Sequence, residues 1–408
     1  MKQLMFFLLA GLLWMASCQT KTEMTPDFEG TWLIELDIAP DIIPFTINIQ
    51  KSGEKWKAEI LNADEVLSYD DISFRNDSII IPMGIFDSEI RATINTDGIL
   101  KGVFAKNFSS IYEVQLSGKR EFTTRFPVNG KPTANFSGRW KTVFTKANGD
   151  TYEAIGIFQQ EGNRVTGTFL TALGDYRYLD GNVDGSQLFL SAFDGSHAYL
   201  FKAQLSEDGS IQGEFRSGPS YKESFTAEIN ETFELPDAYG MNFLKEGYEK
   251  LEFSFPDTDG NMVSLASEKF KNKVVLIQLF GTWCPNCMDE TRFLAPWYEK
   301  HKDKGIEIIA LAFETKPDFD YASSRVKRTM EKMNAGYTFL IAGESNKEKA
   351  SAALPALNQV IAFPTLIYLD KTGKVRKIHT GFNGPGTGAY FDRWVEEHEA
   401  FVAELLKE

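Results

Sequence analysis

The chain has 408 residues, 43% hydrophobic and 25% charged, with a formal net charge of −14. That length exceeds one ordinary hydrophobic core and predicts two or three domains. The acidic balance excludes nucleic acid as a partner, because phosphate binding needs clustered Lys and Arg.

The first 18 residues, MKQLMFFLLAGLLWMASC, read as a processing signal. Lys2 precedes an apolar run from Leu4 to Met15 that is shorter than the roughly 20 residues a membrane span requires. Met15-Ala16-Ser17-Cys18 resembles the lipobox of bacterial lipoproteins, which implies that Cys18 is acylated and becomes the first mature residue. The alternative is a plain signal peptide with an incidental Cys18. Residues 19–26 read as a tether, and acyl chains on Cys18 would hold the protein to a membrane through buried methylenes.

From Asp27 to about Asn230 short alternating runs such as FTINIQ (45–50), KWKAEI (55–60), EIRATI (89–94) and YLFKAQL (199–205) are punctuated by Gly, Asn and Asp. The pattern predicts an all-β region. It also repeats. Phe28-Glu29-Gly30-Thr31-Trp32 returns as Phe136-Ser137-Gly138-Arg139-Trp140, 108 residues on. Gln50-Lys51-Ser52-Gly53 returns at Gln159-Gln160-Glu161-Gly162, and Asp97-Gly98 at Asp208-Gly209. Landmarks in one order predict two antiparallel barrel or sandwich modules, over 27–125 and 135–233, joined by a Pro/Gly-rich linker at 126–134. One large antiparallel sheet is the alternative. The Gly-x-Trp start of each module resembles that of small β-barrels such as lipocalins. A core Trp explains it as well as a ligand cavity does.

A second linker, 234–244, leads to a different pattern over 245–408. LEFSFPDTDGNMVSL is extended, with a turn at Asp259-Gly260. KVVLIQLF (273–280) and IEIIALAFE (306–314) are apolar runs suited to strands buried on both faces. Helices are predicted from Pro285, over 318–334, from Lys347, and over 388–406. FPTLIYLD and KVRKIHTGF form a hairpin across Lys371-Thr372-Gly373. The order is α/β with a mixed sheet.

With Cys18 assigned to lipid, two thiols remain: Cys284 and Cys287, in GTWCPNC. A staple across so short a loop removes little unfolded-state entropy. Zinc needs about four ligands, and neither another Cys pair nor a His cluster supplies them. A redox pair explains the spacing. With a helix beginning at Pro285, Cys284 caps its positive end, where thiolate is favoured, and Cys287 follows one turn later within disulfide reach. Cys284 is then the attacking sulfur and Cys287 the resolving one.

Trp283-Cys284-Pro285-Asn286-Cys287 after a buried strand resembles the thioredoxin fold, and within it the TlpA-like thiol–disulfide oxidoreductases of bacterial envelopes, in the AhpC/TSA–thioredoxin superfamily. The resemblance covers 245–408. It implies a cis-proline at Pro364 beside the Cys pair, in Phe363-Pro364-Thr365, and substrate contacts from Trp283, Pro285, Phe363, Pro364 and Thr365. An ordinary strand-opening proline is the bland alternative for Pro364. The acid that thioredoxin buries beneath the pair matches Gln278 here, which carries no titratable proton. Some TlpA-like proteins use a Glu three residues after the second Cys, and Glu290 matches that spacing as a proton carrier for Cys287, unless it is only a solvated helix residue. Peroxiredoxins place Thr or Ser three residues before their reactive Cys. Gly281 stands there, which disfavours peroxidase activity.

The expectation is a lipid-anchored envelope enzyme, facing the periplasm or the cell exterior, that reduces disulfides of protein substrates. It requires neither cofactor nor metal and, by analogy, is recharged by a membrane electron donor. The rivals are a binding protein whose β modules carry the function, and a thiol oxidase or isomerase.

Overall fold

The computed structural model describes residues 27–108 and 112–408; Cys18 and the signal lie outside them. Nine strands come first: β1 (Gly30–Ile38), β2 (Asp41–Ser52), β3 (Lys55–Asn62), β4 (Glu65–Tyr69), β5 (Ser73–Arg75), β6 (Ser78–Pro82), β7 (Ser88–Ile94), β8 (Leu100–Lys106) and β9 (Glu113–Lys119). They form one antiparallel sheet in the order β4-β3-β2-β1-β9-β8-β7-β6-β5. First and last strands pair, so the sheet curls into a partial barrel that stays open between β4 and β5.

Nine more strands repeat the plan: β10 (Gly138–Lys146), β11 (Thr151–Glu161), β12 (Arg164–Thr171), β13 (Gly174–Asp175), β14 (Leu179–Asp184), β15 (Gln187–Phe193), β16 (Ala198–Leu205), β17 (Ile211–Ser217) and β18 (Tyr221–Ile229). Here the ring closes, because β11 pairs with both β10 and β12, and β12 also pairs with β14. Eight strands make the barrel, with β13 a short flap on β12. Phe144, Phe158, Phe169, Phe201, Phe215 and Phe225 fill it. That leaves a packed core where the lipocalin-like start had allowed for a cavity.

The repeated landmarks share geometry. Gly30 and Gly138 have φ of +121° and +123°, a region open to glycine. Trp32 Nε1 donates to the Phe28 carbonyl and Trp140 Nε1 to the Phe136 carbonyl, each at 2.9 Å.

The remaining chain builds a hairpin, β19 (Ser254–Pro256) and β20 (Met262–Ser264), then an α/β unit. Its elements are β21 (Val274–Phe280), α1 (Pro285–His301), β22 (Ile306–Glu314), α2 (Phe319–Met333), β23 (Thr338–Glu344), α3 (Lys347–Ala353), β24 (Thr365–Leu369), β25 (Val375–Thr380) and α4 (Ala389–Lys407). The sheet order is β23-β22-β21-β24-β25. β21, β22 and β23 run parallel, and β24 and β25 are antiparallel additions. Every residue of β21 and β22 is buried, as strands covered by helices on both faces must be. Among the described residues no helix is long and apolar enough to cross a membrane.

The β region is bolted to the α/β unit near the start of α1. Arg177, 3% exposed by side chain, reaches Glu65 of the first sheet and Asp289 of α1, with Asp194 of the second barrel 3.9 Å from its Nε. Burial opposes the guanidinium's charge, but these acids and Asp175 hold its pKa well above the ordinary value. The first sheet also docks on α2, where Lys332 meets Asp70 at 2.9 Å and Arg328 meets Asp71 at 3.0 Å.

Candidate active site

Cys284 ends the loop after β21 and caps α1. Its backbone is extended (φ −103°, ψ 109°), its Sγ accepts the Cys287 amide at 3.2 Å, and Pro285 occupies the first helical turn. Proline suits that position because an amide there has no helical partner. Cys284 and Cys287 are joined as a disulfide with Cα atoms 5.3 Å apart. Cys284 is 5% exposed and Cys287 fully buried, so only the first sulfur can meet a substrate.

The loop before the pair is held by the end of β22. Thr282 donates its amide and hydroxyl to the buried Glu314 at 2.8 and 2.7 Å. Trp283 Nε1 donates to the Phe313 carbonyl at 2.9 Å, which lays the indole over Gly281. A Cβ at Gly281 would stand 2.1 Å from that ring nitrogen. Gly281 is therefore required by packing, in addition to lacking the peroxide-orienting hydroxyl.

The Phe363–Pro364 peptide is cis, and the Phe363 carbonyl oxygen lies 3.5 Å from Cys284 Sγ. The Phe363 ring stands edge-on to Trp283, 5.7 Å between centroids. Thr365 does not meet the expectation of a substrate contact. Its side chain is buried and its hydroxyl donates to Ala362 O at 2.9 Å, at the start of a strand whose five residues are all buried.

Glu290 is also buried, which corrects the reading of it as a solvated helix residue. It faces β21, where Gln278 Nε2 donates to its Oε2 at 2.8 Å. Burial pushes its carboxyl up to about 8, with Gln278 pulling the other way. Its Oε1 is buried without a partner among the described residues and is the oxygen free to carry a proton.

Sequence reasoning missed the surroundings of Cys284. The second barrel presents its mouth to the Cys pair across a cleft of about 610 Å³. Trp283, Cys284, Pro285, Asn286 and Phe363 line one side; Tyr152, Tyr176, Tyr199, Tyr221, Glu223 and His197 line the other. Asn286, the second residue between the cysteines, donates to the carbonyls of Asp175 and Phe382 at 3.3 and 3.2 Å. Gly174 is tied to that contact, since a Cβ there would stand 2.5 Å from Asn286 Nδ2. The Gly-rich loop after β25 is explained likewise: Gly381 lies against Leu173, and Gly384 N donates to Asp175.

Residues 245–391 match the Redoxin family. Thiol-disulfide oxidoreductase ResA of Bacillus thuringiensis subsp. konkukian is 32% identical over 142 residues, covering 34% of this chain and 73% of that protein. The Bacillus subtilis ResA is 26% identical over 142 residues, covering 35% and 71%. A solution structure of a thiol:disulfide interchange protein from Bacteroides sp. is similar at 24% identity and a TM-score of 0.29, covering 39% of this chain and 91% of that one. With a thioredoxin-type sheet and a Cys pair at a helix start already in place, the chain belongs to the redoxin family as a ResA-like thiol–disulfide oxidoreductase.

Proposed function

We propose that Cys284-Pro285-Asn286-Cys287 is the redox centre and that the protein reduces disulfides of envelope proteins. The observation that carries this reading is the division between the two sulfurs: Cys284 caps α1 and lines a cleft, while Cys287 is sealed beneath it. The helix's positive end favours the Cys284 thiolate. That thiolate attacks one sulfur of the substrate disulfide, and the other leaves as a thiolate that takes a proton from water. Cys287 gives its proton to Glu290 and attacks Cys284 Sγ, releasing the second substrate thiolate, which is protonated in turn. Two electrons pass to the substrate and the protein is left as the disulfide. Glu290, with its carboxyl at about 8 in this oxidised form, is suited to hold the proton at neutral pH until re-reduction.

A dithiol donor must restore the pair; a membrane protein is the expected source by analogy. Trp283, Pro285 and the Phe363–Pro364 backbone are the proposed substrate contacts on this side of the cleft. The signal-like start and Met15-Ala16-Ser17-Cys18 support an acylated Cys18 and an envelope location.

Reduction of insulin or of a small disulfide tests the reading. Wild type turns over and Cys284→Ser loses turnover completely; equal rates in the two would end it. Glu290→Gln slows resolution of the mixed disulfide near neutral pH by about 10²-fold. Unchanged rates across pH would remove Glu290 from the chemistry.

A further inference from the structure

The cleft over Cys284 is built by two parts of the chain, and its far wall belongs to the second barrel. Several contacts fix that wall in place. Ser196 Oγ donates to the Trp283 carbonyl at 3.0 Å, Asn286 bonds back to Asp175, and Arg177 holds Asp289. The barrel therefore grips the Cys loop on both sides. A ligand cannot pass deeper, because phenylalanines fill the interior below the mouth.

The wall offers ring surface more than polar groups. Tyr152 OH and Tyr176 OH lie 2.7 Å apart, Tyr152 OH donates to Glu223 at 2.6 Å, and Tyr221 OH donates to the other Glu223 oxygen. Those hydroxyls are already engaged. Tyr199 stacks on His197 at 5.3 Å between centroids and meets Tyr176 edge-on. Burial pushes ionisation of Tyr152, Tyr176 and Tyr199 upward, so these three rings are uncharged at physiological pH. Lys146 rests at the rim, 5.6 Å over the Tyr152 ring. Trp283 and Phe363 face these tyrosines across the gap.

We infer that the mouth of the second barrel is a specificity wall: it admits a disulfide carried on an extended, unfolded segment and seats an aromatic side chain next to the reacting cysteine. The size supports it. About 610 Å³ falls in the range of small-ligand pockets, roughly 300–1,000 Å³, and accepts a few residues. A folded partner docks over about 800 Å² per side. With Cys284 5% exposed beneath the barrel, such a surface reaches the sulfur less readily than a peptide strand does. Rings prefer offset or edge-to-face partners, which this box provides from two sides.

The inference rests on Cys284 being the attacking sulfur, so the test separates the two. Full-length, pre-reduced protein is assayed on short unstructured peptides whose cysteine, held in a mixed disulfide, is flanked by Phe, Ala, Lys or Asp. The Phe peptide is expected to exceed Ala and Asp by about tenfold in the second-order rate constant of single-turnover reduction. Tyr199→Ala and Tyr221→Ala each bring that ratio to within about twofold, and Tyr199→Phe restores it, because the ring does the seating. A flat series in the wild type, a Phe preference that survives both alanine variants, or a Lys preference would overturn the inference. So would reduction of a folded protein's surface disulfide as fast as the peptide's. Turnover of hydroxyethyl disulfide by the wild type and by Cys284→Ser checks the parent reading alone: a flat series with that turnover intact sinks only the wall.

Discussion

The first β sheet and the second barrel share one plan and end differently. Both begin with a glycine in the positive-φ region and a tryptophan bonded to the carbonyl four residues back. Both have nine strands with the first pairing both the second and the last, but the fourth strand lies in line at the edge of the first sheet and is a flap outside the ring in the second. The second closes on itself around phenylalanines. The first has an interior richer in Ile and Leu, such as Leu36, Ile43, Ile47, Ile60 and Ile81 beside Phe45 and Phe104, and stays open. Its core is completed from outside. Phe193 of the second barrel stacks on Phe45 at 4.2 Å and meets Phe104 edge-on at 4.9 Å. The two sheets thus share much of a strand frame and differ in whether the ring closes. The closed barrel is the one that faces Cys284.

The largest expected effect breaks this dependence. Phe193→Ala leaves a cavity inside the first sheet's core and should cost about 3–5 kcal/mol in denaturant unfolding. If the first sheet were closed by its own residues, the loss would fall below about 1 kcal/mol.

Titration sharpens the contrast between the second barrel and the α/β core. Glu290 rises from 4.5 to about 8 and Asp175 from 3.8 to about 6, both by burial. A carboxyl with a raised folded pKa binds its proton more tightly when folded. Its stabilisation is complete below the unfolded value and is lost as pH climbs to the folded one. Stability should therefore fall with pH by up to about 1.4 kcal/mol per unit for each group within its window. Glu290→Gln should flatten the curve up to about pH 8, and Asp175→Asn only up to about pH 6. Unfolding midpoints measured against pH distinguish the two, and an unchanged curve in Glu290→Gln would contradict its buried, protonated state.

The smallest effect tests the shared frame. Trp32→Phe and Trp140→Phe each remove one hydrogen bond to a buried carbonyl and should each cost about 1–3 kcal/mol, matched to within about 0.5 kcal/mol. Unequal losses would mean that the two starts are alike in sequence and different in environment.

The amino-acid order alone determined much of this protein. Period-two runs with Gly and Asn turns marked the β region, the repeat at about 108–111 residues marked its two copies, and unbroken apolar runs marked β21 and β22. These signals are local, because backbone preference and burial pattern act over a few neighbours. The Cys pair stood out as a spacing along one helix, whereas Glu290 was singled out only through the family resemblance. Tertiary structure decided what no local pattern encodes. Thr365 was buried because β24 is covered along its whole length. Arg177, unremarkable in its turn, became the joint of three regions by meeting Glu65 and Asp289. Tyr152, Tyr176, Tyr199 and Tyr221, scattered over four parts of a barrel, converged on Cys284. Such convergence depends on how closed sheets pack against a helix start, and residues far apart in the chain carry no record of it in their spacing.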